Sequence, residues 1–209
     1  GVAWTPSEVG AKPLRREPAR LQGRRVAAKA LDNRAGVAAV VGALQRLQGL
    51  RHACDVLAVA TVQEELGLRG ATTGTFALEP HVALAVDVTF ARGPGVRDDQ
   101  GWEPGKGPCI GLGPNIHPGV YQALVEVARR RRIPFQVEPL PAASGTDAWA
   151  IQVARSGVPT GLVSIPLRYM HSGAEVVDLG DVDATADLLA AFAAEATPAL
   201  VEAWSHGHD

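Results

Sequence analysis

Short apolar runs alternate with helical patterns along most of this chain, and this alternation limits the folds it can adopt. Residues 55–61, DVLAVAT, and residues 81–88, HVALAVDV, have the near-continuous apolar character of buried strands. Further strands are predicted at residues 105–113, 134–140 and 158–166. Helices are predicted at residues 35–48, 68–78, 118–132, 146–157 and 181–196. Strands that alternate with helices predict an α/β fold, with a mixed or largely parallel sheet layered by helices.

The first of these helices shows the clearest amphipathic pattern. Residues 35–48, AGVAAVVGALQRLQ, carry large apolar side chains at the spacing of one helical face. We expect that face to be buried: Val37, Val40, Val41, Leu44 and Leu47.

Composition excludes several classes of protein. A formal net charge of −2 gives no electrostatic footprint for nucleic acid or an anionic membrane. No apolar run approaches the roughly 18 residues that a membrane span requires. Cys54 and Cys109 stand alone, without the spacing of a disulfide framework, and the first residues lack the pattern of a signal peptide. These features favour a cytoplasmic protein.

Two adjacent carboxylates follow the first predicted strand. The sequence VQEELG places Glu64 and Glu65 at the point where the chain should leave a core. Like charges side by side at the end of an apolar strand have no packing value. The pair therefore indicates a chemical role.

Other polar groups fall at equivalent positions, and ligands of α/β sheets bind outside the carboxyl ends of the strands. Asp32 precedes the first helix, Asp87 ends a strand and His171 follows another. Each alone has an ordinary explanation, such as a helix cap for Asp32 or a structural hydrogen bond for His171. Together with a glutamate they form a donor set suited to zinc, cobalt or manganese.

A two-metal centre explains why two glutamates would stand together. Such a centre needs a carboxylate shared between the ions and a base near the attacking water. One glutamate can therefore bind a metal while its neighbour acts on the water.

The motifs KALDNRAGVAAVV, TVQEELGLRGA, ALAVDVT, SGTDA and SIPLRYMHS occur in the order and rough spacing of the tetrahedral aminopeptidases. The chain resembles this family of dinuclear metallopeptidases over residues 26–195. The family is related to glutamyl and leucyl aminopeptidases, and some members have been labelled endoglucanases. The resemblance implies a zinc-peptidase-like catalytic domain at residues 26–209 and a remnant of a small assembly domain at residues 1–25.

The resemblance also implies roles for individual residues. Asp32 would bridge two divalent ions, zinc or cobalt, with Glu65 and His171 completing one position and Asp87 holding the other. Glu64 would be the general base. Thr146 and Asp147 would help to shape the substrate cleft. The implied activity is removal of N-terminal residues from peptides, and the implied assembly is a homo-oligomer, a dodecamer in relatives.

The chain departs from the family pattern at one ligand. Family members carry, upstream of the LDNR motif, a histidine followed two positions later by an aspartate, and that histidine completes the Asp87 metal position. Here no histidine precedes Asp32, and the first is His52. Part of the catalytic domain is thus expected to be missing.

Three functional interpretations follow. The first is a metal-dependent aminopeptidase; the second is a catalytically silent, truncated paralogue or assembly subunit. The third is a related two-metal carboxypeptidase or deacylase, which differs in the end of the substrate that it recognises. A glycosidase is disfavoured, because its two carboxylates should flank a sugar bond at about 5–9.5 Å rather than be adjacent.

Overall fold

A computed structural model describes residues 17–206, and in this range the chain forms seven strands and six helices around one mixed sheet. The strands are β1 (Ala19–Arg20), β2 (Arg25–Ala28), β3 (Ala83–Phe90), β4 (Cys109–Leu112), β5 (Gln136–Pro139), β6 (Thr160–Arg168) and β7 (Glu175–Asp178). The helices are α1 (Leu31–Leu47), α2 (Arg69–Leu78), α3 (Pro118–Arg131), α4 (Asp147–Ile151), α5 (Leu179–Glu195) and α6 (Pro198–His206).

The sheet has the order β1-β2-β7-β6-β4-β5, with β3 paired to β6. The β3–β6 and β4–β5 pairs are parallel, whereas the other pairs are antiparallel. This confirms the predicted α/β class with a mixed sheet. Because β3 and β6 run in the same direction, Asp87 and the turn that follows β6 reach the same edge of the sheet.

The hydrophobic core lies between the sheet and the pair of helices α3 and α5. Leu124 of α3, Leu188 of α5 and Val163 of β6 are fully buried there. Helix α6 closes this layer through Trp204, whose ring stacks on Phe192 at a centroid separation of 6.0 Å. This core supports the face of the sheet, so that the strand ends remain fixed in position.

Helix α1 forms as predicted, but the prediction of its buried face was wrong. Val37, Val41 and Leu44 are 37–49% exposed, whereas Ala39 is fully buried. The buried side consists largely of small residues: Ala35, Gly36, Ala39, Ala43 and Leu47. Small side chains allow α1 to approach α5 closely, and a Cβ on Gly42 would lie 3.2 Å from the Ala186 Cβ. Val37, Val41 and Leu44 consequently point outward, whereas Leu47 is buried as predicted and Val40 is half-buried against the core.

The predicted buried strand at residues 55–61 was also wrong. Those residues belong to none of the seven strands of the described chain, and Leu57 and Val59 are 61% and 49% exposed. An apolar run becomes a buried strand only when a neighbouring strand pairs with its backbone. No strand within residues 17–206 pairs with it.

The remaining elements agree with the sequence patterns except where the elements are short. Helix α4 has only five residues and ends at Ile151, after which the chain turns through Arg155 and Gly157 with positive φ. Strands β1, β2 and β7 have two to four residues and gave no periodic signal. Helix α6 was not predicted either.

The proposed N-terminal remnant at residues 1–25 falls mostly outside the described residues. From residue 17 onward the chain joins the main sheet, with β1 paired to β2 and β2 paired to β7. Within the described chain no single helix is long and apolar enough to cross a bilayer. Helices α5 and α6 meet that test only as a pair, bent by 99°.

Glu138 gives the sheet a predicted pH dependence. Its side chain is 6% exposed and accepts a hydrogen bond from the Thr89 hydroxyl at 2.5 Å, while burial raises its pKa. A carboxyl whose folded pKa lies above its unfolded value of about 4.3 stabilises the fold most at low pH. This contribution is lost as the pH rises through the folded pKa. We expect the difference in free energy of unfolding between wild type and Glu138→Gln to fall as the pH rises above about 4.

Urea unfolding of both proteins over this rise in pH would measure the difference, because other titrating groups cancel between them. The exposed Glu126→Gln is the control, for which we expect no such trend. A pH-independent difference for Glu138→Gln would contradict the prediction.

Candidate metal centre

Three of the predicted metal ligands converge at the edge of the sheet. One ligand atom from each of Asp32, Glu65 and His171 lies within 4.8 Å of the others. His171 Nε2 is 3.2 Å from Asp32 Oδ2 and 3.5 Å from Glu65 Oε1. The Asp32 side chain is 10% exposed, whereas those of Glu65 and His171 are 60% and 63% exposed. The cluster is therefore anchored on one side and open to solvent on the other.

Each of these residues stands at an irregular point of the backbone. Asp32 lies near the start of α1 but has the non-helical angles φ −79° and ψ 105°. Glu64 and Glu65 begin a single 3₁₀ turn, Glu64–Leu66, which follows Gln63 at φ 59°. His171 lies in the turn after β6 at φ 60°. Polar side chains in irregular segments can point away from the core. Three separate segments can therefore bring their side chains to one place.

Glu175 connects the segment that carries Asp32 to the segment that carries His171, and it was not among the residues predicted from the sequence. Its carboxylate accepts hydrogen bonds from the backbone N–H of Asp32 and from that of His171, both at 3.0 Å. Glu175 is 2% exposed and opens β7. A buried carboxylate that binds both backbones fixes the distance between the two ligands. Its position four residues after His171, ahead of a short apolar strand, was the only available signal.

Replacement of Glu175 by glutamine tests this positioning role. Glutamine has one carbonyl oxygen, so one of the two N–H groups would face an amide donor instead of an acceptor. We expect the fold to lose about 1–3 kcal/mol, the cost of an unsatisfied buried group. We also expect zinc affinity to fall about 10–100-fold, as for other outer partners of ligands.

Thermal unfolding and zinc titration of Glu175→Gln, beside the exposed Glu126→Gln, would measure both effects. Unchanged zinc affinity in a folded Glu175→Gln protein would show that Glu175 has no positioning role.

Asp87, the fourth predicted ligand, lies outside the three-residue cluster. It is 7% exposed, and its Oδ1 accepts a hydrogen bond from the N–H of Val88 at 2.8 Å. Burial, with further contributions from the charges of Glu64 and Asp32, raises the pKa of Asp87 to about 8. A nearby cation would relieve this cost by favouring the carboxylate.

Glu64 interacts with one further carboxylate, that of Asp147, as well as with those of the cluster. Burial, followed by the charges of Asp147, Glu65 and Asp32, raises the pKa of Glu64 to about 7. Asp147 is held by Thr61, whose hydroxyl donates to Asp147 Oδ2 at 2.6 Å. The other oxygen, Asp147 Oδ1, is buried without a hydrogen-bond partner in the described chain. The Glu64 carboxylate thus interacts electrostatically both with the three-residue cluster and with Asp147.

The non-helical start of α1, at Asp32 and Asn33, is held by an amide side chain. Asn33 Nδ2 donates to the Val86 carbonyl at 2.7 Å, and Asn33 Oδ1 accepts from the Gly36 N–H at 3.0 Å. A Cβ on Gly36 would lie 2.2 Å from Asn33 Oδ1, so only glycine fits there. The hydrogen bond from Asn33 to Val86 ties the residue next to Asp32 to β3, the strand that carries Asp87.

The family model for M42 glutamyl aminopeptidase matches residues 12–188. The chain belongs to the M42 peptidase family. The match includes all five predicted site residues, and M42 peptidases are metal-dependent hydrolases. This confirms the resemblance noted in the sequence.

Relatives of the M42 chain extend the comparison. It is 46% identical over 179 residues to a lysyl aminopeptidase of Pyrococcus furiosus, covering 86% of this chain and 51% of that protein. Its fold superposes on an aminopeptidase of the archaeon Desulfurococcus kamchatkensis with a TM-score of 0.79 at 43% identity, over 90% of this chain and 54% of the other. The TET1 peptidase of Pyrococcus horikoshii gives a TM-score of 0.72 at 29% identity, over 86% and 53%, and is described as assembling into a tetrahedron or a large octahedral shell.

The chain thus spans about half the length of the relatives that it matches. Within this M42 half, the described residues bring together three side chains that could ligate a metal ion, with the Asp87 carboxylate as a fourth candidate. Imidazole nitrogen with carboxylate oxygens is a donor set that zinc and cobalt accept. The residues present therefore fit a divalent ion at the Asp32–Glu65–His171 cluster.

Proposed function

We propose that this chain is the catalytic part of a metal-dependent aminopeptidase that removes N-terminal residues from peptides. The observation that carries the proposal is the convergence of Asp32, Glu65 and His171 beside Glu64 in a chain of the M42 family. In this proposal Asp32, Glu65 and His171 hold one ion, and Asp32 with Asp87 holds a second. The Asp87 position takes its remaining ligands from outside the described residues.

Two bound zinc or cobalt ions would polarise the scissile carbonyl and lower the pKa of a water molecule, so that the water can lose a proton and attack the carbonyl carbon. Glu64 then accepts a proton from the attacking water and returns it to the leaving amine. Asp147, whose charge acts on Glu64, and its neighbour in sequence Thr146 would shape the cleft on the side of Glu64. Glu175 holds the backbone of Asp32 and of His171, and Asn33 holds the start of α1 against β3, so that Asp32 and His171 keep their separation.

The proposal includes assembly and organisation. Residues 26–209 form the catalytic part, which residues 17–25 join through the β1–β2 pair, and the residues before them belong to a small domain that mediates self-association. The assemblies of the TET1 relative support a homo-oligomer. A cytoplasmic location, the expectation stated from the sequence, is also part of the proposal.

Peptides with free and with acetylated N-termini test the proposed activity. We expect zinc- or cobalt-dependent release of N-terminal residues from free peptides and none from acetylated ones, because an aminopeptidase acts next to a free amino group. Equal cleavage of both would favour the carboxypeptidase or deacylase interpretation. A folded chain that binds metal but cleaves neither would favour the silent subunit.

A further inference from the structure

The turn that carries Glu64 and Glu65 is closed by hydrogen bonds of its own backbone. The N–H of Gly67 donates to the Glu64 carbonyl at 3.1 Å, and the N–H of Gly70 donates to the Val62 carbonyl at 2.9 Å. These bonds join residues of one short segment, so they determine the shape of the turn. Its position relative to the metal cluster also needs a contact with another element of the fold.

The segment just before Glu64 is held from two sides. On one side lies α2, where a Cβ on Gly70 would be 2.4 Å from the Val62 nitrogen and 2.5 Å from the Val62 oxygen, so only glycine allows this approach. On the other side the half-buried Thr61, three residues before Glu64, donates from its hydroxyl to Asp147 Oδ2 at 2.6 Å. The segment is therefore held between α2 and the start of α4.

Asp147 lies on a rigid part of the fold. It opens α4, and the next residue, Ala148, is fully buried against the sheet. The loop before α4 is braced by polar side chains: Asn115, which is 2% exposed, donates to Ser144 Oγ at 3.1 Å, and Ser144 Oγ lies 2.9 Å from Thr146 Oγ1. Thr146 is itself 7% exposed. A side chain with these supports can fix the position of a more mobile segment.

The hydrogen bonding of Asp147 differs from that of an ordinary helix cap. An aspartate at the start of a helix usually stabilises the first N–H groups of that helix. Asp147 instead directs Oδ2 to Thr61, and its Oδ1 is buried without a hydrogen-bond partner in the described chain. The side chain therefore serves the segment that leads to Glu64 more than it serves α4.

We propose that Asp147 is a positioning residue for the general base. Through the Thr61 hydroxyl it fixes the turn that carries Glu64 relative to the metal cluster, as Glu175 fixes two of the ligands. This inference rests on the proposed function of Glu64. Without the bond the turn is held from one side only, so it opens more often. The Glu64 carboxylate then spends less time beside the attacking water, which slows the chemical step.

Three variants of this chain test the hydroxyl. Thr61→Val removes it and keeps the branched shape of the side chain, whereas Thr61→Ser keeps it. The control Thr73→Val removes an exposed hydroxyl that bonds the Arg69 carbonyl of its own helix at 3.1 Å. In the metal-free chain we expect amide hydrogen exchange at Gly67 and Leu68 to become about tenfold faster in Thr61→Val. The other two variants should exchange as the wild type does, and exchange in α5 should not change in any of them.

Peptide hydrolysis at saturating zinc separates positioning from a general loss of stability. We expect kcat of Thr61→Val to fall about 10–100-fold with KM within about twofold of wild type, because the bond acts on the chemical step and not on binding. Thr61→Ser should restore kcat. Wild-type exchange at the turn or wild-type kcat in Thr61→Val would overturn the proposal, as would a serine variant as slow as the valine variant. If the wild-type chain hydrolysed no peptide, the proposed function would fail, and the exchange rates would still decide whether this bond holds the turn.

A double variant identifies the partner of the hydroxyl. We expect Asp147→Ala to accelerate exchange at Gly67 and Leu68 as Thr61→Val does. The combined variant should exchange no faster than either single variant, because both changes remove the same hydrogen bond. Accelerations that multiply in the combined variant would show that Thr61 and Asp147 act separately, and the positioning role of Asp147 would be wrong.

Discussion

The Glu64→Gln variant is expected to lose peptide hydrolysis by about 10²–10⁴-fold while retaining its metal. Glutamine preserves the size of the side chain but cannot accept a proton. Glu64 stands outside the cluster of Asp32, Glu65 and His171, so the ligands remain in place. Loss should therefore appear in kcat, measured with free peptides in the presence of zinc or cobalt.

Glu126→Gln is the matched control, because it makes the same change at an exposed position of α3. It should turn over normally. Normal turnover by Glu64→Gln would remove Glu64 from its proposed role. Loss of bound metal in that variant would assign it a ligand role instead.

The Asp32→Ala variant is expected to lose zinc affinity by more than about 100-fold, since even an outer partner of a ligand contributes 10–100-fold. Asp32 is the most enclosed of the three clustered side chains, and in the proposal it serves both ions. Removing it should abolish the cluster as a binding site, because only the two exposed side chains of Glu65 and His171 would remain. Isothermal titration with zinc would measure the change.

Asp99→Ala, at an exposed aspartate of the loop before β4, is the control and should bind zinc as the wild type does. If Asp32→Ala kept wild-type affinity, the ion would have to bind elsewhere, and the proposed centre would be wrong.

The sequence predicted the class of fold and most of its long elements. Helix α5 and strands β3 and β6 have long, consistent apolar patterns, and all three form near their predicted positions. The face of α1 could not be predicted from hydrophobicity, because close packing against the sheet selects Ala39, and close packing against α5 selects Ala43, over larger residues such as Val41. Tertiary contact decided that face.

The segment 55–61 shows a different limit of sequence patterns. Its composition records the environment of a buried strand, but a strand also needs a partner for its backbone. Within residues 17–206 no strand pairs with this run, so it forms no strand and most of its residues are exposed. The pattern indicated a preference that is realised only where another strand pairs with the run.

The candidate site could also be predicted from the sequence only in part. Their positions at segment ends indicated Asp32, His171 and one of two adjacent glutamates, and the family resemblance implied that Glu65 is the ligand. The fold brings these three residues together. Glu175 was missed because its role is to accept two backbone N–H groups, a contact that depends on how β7 packs. The contact between Thr61 and Asp147 was equally invisible, since 86 positions separate the two residues.

The most direct test of the central claim is a crystal structure of this chain grown with zinc, with anomalous scattering recorded at the zinc edge. The account predicts a peak among Asp32, Glu65 and His171, at about 2.0–2.2 Å from the His171 nitrogen and the carboxylate oxygens. Absence of a peak at that position, with or without zinc bound elsewhere, would contradict the assignment of this cluster as a metal centre.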